Sequence, residues 1–271
     1  MKPTIGVLLG DPNGVGPEIA VKMLADTSAR ATANILVIGD LNVLAQGEKV
    51  TGIKLPVEVI EDAAEADYAG DALAFLNVPA IDANDIEPGT VSAEAGRSCV
   101  LALKAALKLG QAGTIDGFCF APLNKKALGM GGASHPDEHV FFAHELNHGR
   151  PYGEHNVLGN LWTSRVTSHI ALKDVAEQIT EANVIRAAKL AAETLAGAGI
   201  ENPRVGVCAL NPHGGDGGIF GREEIDVIAP AVDKIKAMGI NATGPFPSDT
   251  IFVKAQNGDF DAVVTMYHDQ G

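Results

Sequence analysis

The sequence predicts an α/β protein with mostly parallel sheets. Short apolar runs of strand length alternate with helical patterns from end to end, as crossover-connected parallel strands require. Several of these runs end in loops carrying glycine, proline or histidine that open into a helix start, the place where parallel sheets gather ligands. An apolar content of 46% over 271 residues supplies a core, and with aromatics at only 5%, Ala, Val, Leu and Ile must build it. That length suffices for two domains or one large one.

The elements follow in order. Thr4–Leu9 reads as a buried strand, followed by the loop Gly10-Asp-Pro-Asn-Gly-Val-Gly-Pro-Glu18 and a helix over Glu18–Ala25, with Pro17 suited to its first turn. This unit either holds an anion at the helix N-terminus or is a plain βα turn. It is not the G-x-G-x-x-G dinucleotide fingerprint, because the spacing differs and prolines intervene. Asn34–Gly39 is a second strand, with Asp40-Leu-Asn42 opening a helix. Leu55–Ile60 and Leu73–Val78 are further strands, separated by the acidic, solvated stretch Asp62 to Asp71. Ser92–Gly110 is an amphipathic helix whose buried stripe is Val100, Leu101, Leu103, Ala106 and Leu107. Ile115–Phe120 is a strand that runs into Ala121-Pro-Leu-Asn-Lys-Lys126 and another helix start.

From Gly129 to Pro151 the composition changes. Five of the eight histidines, His135, His139, His144, His148 and His155, fall in or just after this stretch. Such crowding marks either a metal site or a helix with solvated histidines, the latter above all for His144, His148 and His155. Asn156–Trp162 and Ser164–Ile170 form a hairpin or two adjacent strands. Lys173–Gln178 and Thr180–Ala198 are helices. Val205–Leu210 is a strand, and the glycine-rich loop after it leads to an acidic helix start at Arg222-Glu-Glu224. Ile225–Met238 is helical with a break or kink at Pro230. A short extended piece (Ile240–Thr243), a proline-rich loop (Gly244–Thr250), a helix (Ile251–Ala255) and a last strand (Phe260–Met266) complete the chain.

Three histidines stand out by their setting. His169, His213 and His268 each follow an apolar or β-branched run and each precedes a turn or helix start. Three imidazoles at three strand exits form a candidate ligand set for a metal. A formal net charge of −14 argues against nucleic acid or an anionic membrane as partner, yet leaves room for a local basic pocket. Cys99, Cys119 and Cys208 lie in apolar surroundings at no metal-like spacing, as buried thiols of a reducing cytoplasm would. No apolar run reaches membrane length. A chain stopping at His268-Asp-Gln-Gly271, directly after a buried strand, leads us to expect a natural protein that continues further.

The motifs Gly10-Asp-Pro-Asn-Gly-Val-Gly-Pro-Glu18, Ala121-Pro-Leu-Asn-Lys125, Thr167-Ser-His169, Leu210-Asn-Pro-His213 with Gly221-Arg-Glu-Glu224, Gly244-Pro with Asp249-Thr250, and Tyr267-His-Asp-Gln-Gly271 resemble, in order and spacing, the 4-hydroxythreonine-4-phosphate dehydrogenase family of pyridoxine biosynthesis. The resemblance covers the whole chain. It implies two α/β/α domains with a cleft between them, like isopropylmalate dehydrogenase. The first would span 1–125, with its completing segment beyond Gly271; the second, 126–271, would carry the histidines and the dimer interface. It also implies a cytoplasmic homodimer with NAD or NADP as oxidant and a divalent metal. His169 and His213 of one subunit and His268 of the other would hold that metal. Imidazole ligands suit zinc, nickel, cobalt or iron better than magnesium. In the family a phosphorylated hydroxy acid is oxidised and the β-keto acid loses carbon dioxide. Asp249 and Asp269 are candidates for catalytic proton transfer or for orienting a ligand, and Asp249 equally for a helix N-cap. No cofactor-contacting residue is assigned.

One departure bears on the substrate. Where the family reads Pro-Gly-His-Thr-Glu, this chain reads Pro136-Asp-Glu-His-Val140, so Glu138 and His139 take the substrate-contacting positions, with Lys125 nearby in the motif set. A carboxylate there disfavours an anionic group by like-charge repulsion. Four-carbon sugar-acid phosphates and cyclic dihydrodiols therefore join 4-hydroxythreonine-4-phosphate as substrate classes. A non-catalytic homologue and a fold-related phosphate-substrate transferase are the other readings, and the transferase would have no use for three metal-binding histidines.

Overall fold

The computed structural model describes residues 2–135 and 137–271, so Pro136 of the departing stretch lies outside the described residues. The chain forms two compact units, one reaching Gly149 and the other running from Arg150 to Gly271. The boundary drawn from the sequence at 125/126 thus falls inside the first unit. The reason is packing: Leu128 and Phe141, beyond that boundary, lie in the same apolar cluster as Leu8, Leu36 and Leu103.

In the first unit the strands are β1 (Thr4–Leu8), β2 (Asn34–Gly39), β3 (Val57–Ile60), β4 (Leu73–Asn77) and β5 (Gly117–Phe120). They form one sheet in the order β3-β4-β2-β1-β5, parallel throughout. The helices are α1 (Gly16–Ala25), α2 (Ser28–Thr32), α3 (Leu41–Thr51), α4 (Ala93–Gln111), α5 (Lys125–Met130) and α6 (Glu138–Glu145). Alternate strand residues face opposite layers. Val7, Leu9 and Val37 pack with Val21 and Leu24 of α1 and Val43 and Leu44 of α3. Leu8, Leu36 and Ile38 pack with Cys99, Leu103 and Ala106 of α4. A sheet covered on both faces explains why its strands read as continuous apolar runs.

Side-chain caps start three of these helices. The buried Asp40 carboxylate accepts from Asn42 N at 2.7 Å, opening α3, and from Ala80 N at 2.6 Å, tying in the segment after β4. Ser92 and Asn124 cap α4 and α5 in the same way. Within α4, Val100, Leu103, Ala106 and Leu107 are buried as the stripe predicts, but Leu101 is exposed, because one residue along a helix turns about 100° away from its neighbour's face. Cys119 is also exposed, contrary to the reading of three buried thiols, while Cys99 and Cys208 are buried.

In the second unit, β6 (Asn156–Leu158) and β7 (Leu161–Arg165) form an antiparallel hairpin. The remaining strands are β8 (Val205–Cys208), β9 (Ala242–Phe246) and β10 (Ala262–Thr265). The sheet order is β6-β7-β10-β8-β9, parallel apart from the hairpin. The last strand in sequence is therefore the central one. Helices α7 (Val175–Gln178), α8 (Glu181–Gly197), α9 (Ala229–Ala237) and α10 (Ser248–Gln256) complete the unit. Val184, Ala188 and Leu195 of α8 and Ile235 of α9 bury one face against Val205, Val207 and Val264. Ile251 and Ala255 of α10 cover the other, against Cys208 and Val263. Pro230 stands in the first turn of α9, just after a wider π-type turn over Glu224–Ile228, so the sequence break is a helix boundary. Among the described residues no helix is long and apolar enough to cross a membrane.

Close packing in the first unit makes one sharp prediction. A Cβ on Gly96 of α4 would stand 1.8 Å from Ala127 O of α5, whereas one on Gly110 in the same helix meets nothing within 4 Å. Gly96→Ala is expected to destabilise by about 1–3 kcal/mol, and Gly110→Ala to stabilise by up to about 1 kcal/mol. Urea unfolding midpoints at unchanged slope check both.

Candidate active site

His169, His213 and His268 leave the carboxyl ends of β7, β8 and β10, three strands that lie side by side with β10 in the middle. All three side chains are exposed. The rings of His169 and His268 stand 5.8 Å apart, centre to centre, tilted by 38°. That juxtaposition follows from neighbouring strands, which run about 4.8 Å apart. His213 lies further along its loop, beyond Asn211-Pro212. Among the described residues no three His, Cys, Asp or Glu side chains group closely enough to hold a metal. Within one chain the structure thus pairs His169 with His268, where the resemblance implied His169 with His213.

Backbone conformation sets two of these histidines apart. His169 has φ 52° and His213 φ 54°, both in the left-handed region. Left-handed backbone continues from His213 through Gly217, with Asp216 the second non-glycine residue in the run. Such residues cost on the order of 1 kcal/mol each and persist where surrounding contacts over-determine them.

Those contacts are visible. Glu224, read in the sequence as part of an acidic helix start, is buried and turned back on the loop. Its Oε1 accepts from Leu210 N at 2.8 Å and Asn211 N at 2.7 Å, and its Oε2 from the Asn211 side chain at 3.0 Å. A Cβ on Gly215, which has φ 78°, would stand 2.7 Å from Glu224 Oε2, so only glycine lets the loop close over this carboxylate. Burial pushes the Glu224 carboxyl up, but the hydrogen bonds from Asn211 and Leu210 outweigh it and hold the group below the usual carboxylate range. The signal that the sequence did offer was the pair Glu223-Glu224 behind a glycine-rich loop.

The two aspartates differ. Asp269 Oδ1 lies 2.9 Å from His268 Nδ1, so it orients that ring. Asp249 is exposed in the first turn of α10; Pro247 holds the N-cap position and no side chain caps the helix, so the N-cap reading fails. In the first unit, Lys125 opens α5 and its Nζ reaches Asp137 Oδ1 at 2.6 Å and Glu138 Oε2 at 3.9 Å, so the acidic start of α6 offsets its charge. His139, next along α6, is half-buried.

The remaining sequence candidates resolve locally. The Gly10–Glu18 loop is tied to the segment before α4: Asn13 donates to Thr90 Oγ1 at 3.1 Å and accepts from Glu87 N at 2.8 Å. The buried Asp11 carboxylate sits in the same loop, and its charge opposes an anion there, which favours the plain βα turn. The rings of His135 and His144 lie 4.9 Å apart, centre to centre, tilted by 49°, with the Ser134 hydroxyl between their Nδ1 atoms. His155 departs from the solvated reading: both its ring nitrogens are buried without a hydrogen-bond partner, against Trp162, and burial pushes its pKa down.

The Glu224 environment has a pH signature. A carboxyl held low in the folded state contributes stability that is present above the usual carboxylate range and lost as pH falls through that range. Glu224→Gln is expected to destabilise by about 1–3 kcal/mol at neutral pH and to flatten the acid limb of the stability curve. Denaturant unfolding from neutral to acidic pH checks it; an acid limb identical to that of the parent protein refutes the assignment.

Comparison with known proteins identifies the family. A Pseudomonas aeruginosa protein provisionally named 4-hydroxythreonine-4-phosphate dehydrogenase 2 is 46% identical, over 99% of this chain and 80% of its own. The D-threonate 4-phosphate dehydrogenase of Cupriavidus necator is 39% identical, over 99% of this chain and 80% of its own. The crystal structure of a 4-hydroxythreonine-4-phosphate dehydrogenase from Burkholderia phymatum superposes with a TM-score of 0.87 at 41% identity, covering 100% of this chain and 82% of that one. Residues 31–271 match the family described as pyridoxal phosphate biosynthetic protein PdxA. With dehydrogenase relatives across its whole length and the fold they share, the chain is an oxidoreductase and belongs to the PdxA family.

Proposed function

We propose that this protein oxidises a four-carbon phosphorylated hydroxy acid, 4-hydroxythreonine-4-phosphate or D-threonate 4-phosphate, with NAD or NADP as oxidant and with loss of carbon dioxide from the keto acid. The observation that carries the reading is the row of three exposed histidines on adjacent strand exits, two of them in left-handed backbone and two with rings 5.8 Å apart. The donor chemistry fits a divalent metal of the zinc, nickel, cobalt or iron kind better than magnesium. In this reading, as the family resemblance implies, the set of His169, His213 and His268 is completed in a homodimer.

His169, His213 and His268 would hold a divalent metal, which would supply Lewis-acid activation of the substrate hydroxyl, and a bound nicotinamide would supply the hydride acceptor. The chain's own groups do the rest. Asp269, hydrogen-bonded to His268 Nδ1, fixes that ring and leaves Nε2 for the metal. Asp249, exposed at the start of α10, is available to take the hydroxyl proton. Lys125, Glu138 and His139 are proposed as substrate contacts. The acidic residues at Lys125 temper its pull on a phosphate, and this motivates comparing the two four-carbon substrates directly. The dihydrodiol reading is tested in the same substrate panel.

The experiment is a metal assay by plasma mass spectrometry joined to nicotinamide reduction with both phosphates and a cyclic dihydrodiol. The purified dimer is expected to hold about one zinc-like metal per subunit, the occupancy of a single three-imidazole site. Reduction with a phosphate substrate and none with the dihydrodiol is expected. His213→Ala is expected to lose both metal and turnover while keeping its circular dichroism spectrum, since the residue stands on an exposed loop. Stoichiometric metal in that variant would remove His213 from the ligand set.

A further inference from the structure

We infer that Gln270 is the positioning residue that holds the histidine-bearing turns in register; the inference rests on the metal-site reading above. The backbone ladder between β7 and β10 ends at the pair Arg165 and Thr265, and that between β10 and β8 at Val264 and Val207. All three histidines lie past those ends, where strand pairing no longer spaces the chains. Past Val166 N, which still donates to Thr265 O at 2.8 Å, side chains join the last backbone bonds in holding the chains together. Thr167 N and Thr167 Oγ1 donate to Met266 O at 3.2 and 2.8 Å, joining the His169 turn to the exit of β10. Met266 N donates to Gln270 Oε1 at 2.8 Å. Gln270 Nε2 donates to Ala209 O at 3.0 Å and Leu210 O at 3.4 Å, on the segment leading to His213. Glu224 grips the same segment through its N–H groups.

Gln270 is thus the link between the β10 exit, which carries His268, and the β8 exit, which carries His213. The chemistry of the position is selective. One end of the side chain must accept from an N–H and the other must donate to a carbonyl, which a carboxamide does and neither a carboxylate nor an apolar chain can. Removing it leaves Met266 N without its acceptor and frees the His268 turn from the His213 loop.

The test uses the full chain and cobalt(II) as the probe. Gln270→Met keeps the length and removes all three hydrogen bonds; Gln270→Glu keeps the acceptor and loses the donor. Gln270→Met is expected to weaken cobalt(II) binding about ten- to a hundredfold, the usual effect of removing a group that orients metal ligands. Its visible absorption is expected to shift as the ligand geometry changes. Gln270→Glu is expected to fall between Gln270→Met and the parent, and it alone decides the matter if Gln270→Met does not fold. Parent-like cobalt affinity and spectrum in Gln270→Glu and in any folded Gln270→Met overturn the inference. Magnetic resonance of the imidazole rings in the metal-free protein separates this from the metal reading. If the parent protein binds no cobalt, the metal reading falls. The positioning role then stands if the His169 to His268 ring contact is lost in the variants and falls if that contact is unchanged.

Discussion

The site depends on one pairing: β10, the last strand in the chain, lies between β7 and β8 as a parallel neighbour of both. Parallel strands send their carboxyl ends the same way, so three segments far apart in sequence deliver their exit loops to one sheet edge. The strand residues that secure this pairing, Val207, Val263 and Val264, are fully buried. Each histidine stands just past the end of a strand, a setting that positions a side chain better than a long loop does.

Keeping exposed imidazoles in order beyond the last ladder bond requires polar contacts that the core cannot supply. The protein places a buried carboxylate, Glu224, under the His213 loop and satisfies it with N–H donors on one side and an amide on the other. A buried charge is costly unless fully hydrogen-bonded, and here the bonds outweigh the burial. The glycines at 215 and 221 belong to the same device, since a Cβ at either would collide with Glu224, Asn211 or Glu223. What reads in sequence as a flexible loop is, in three dimensions, a tightly specified one.

Charge shapes the first unit differently. An acidic protein with a net charge of −14 must concentrate its cations wherever it receives an anion. At Lys125 the nearest partners are Asp137 and Glu138, which come from the stretch where this chain departs from the motif it otherwise follows. The departure therefore has a physical consequence at a basic side chain.

Much was legible in the sequence because it is encoded locally. The continuous apolar runs of β1, β2 and β8, the caps at Asp40 and Ser92, and the apolar stripe of α4 are each set by residues within a turn or two of one another. The strand-exit position of His169, His213 and His268 was readable for the same reason. Strand order was not, because it depends on pairings between segments far apart in the chain, such as Thr167 with Met266, 99 residues on. Nor were the inward turn of Glu224, the burial of both His155 nitrogens, or the placement of α5 and α6 in the first unit. Local chemistry names the candidates, while long-range packing decides which of them meet: the sequence by itself determined the elements and the histidines, and only the tertiary structure put His268 beside His169 and gave Gln270 its place between the strands.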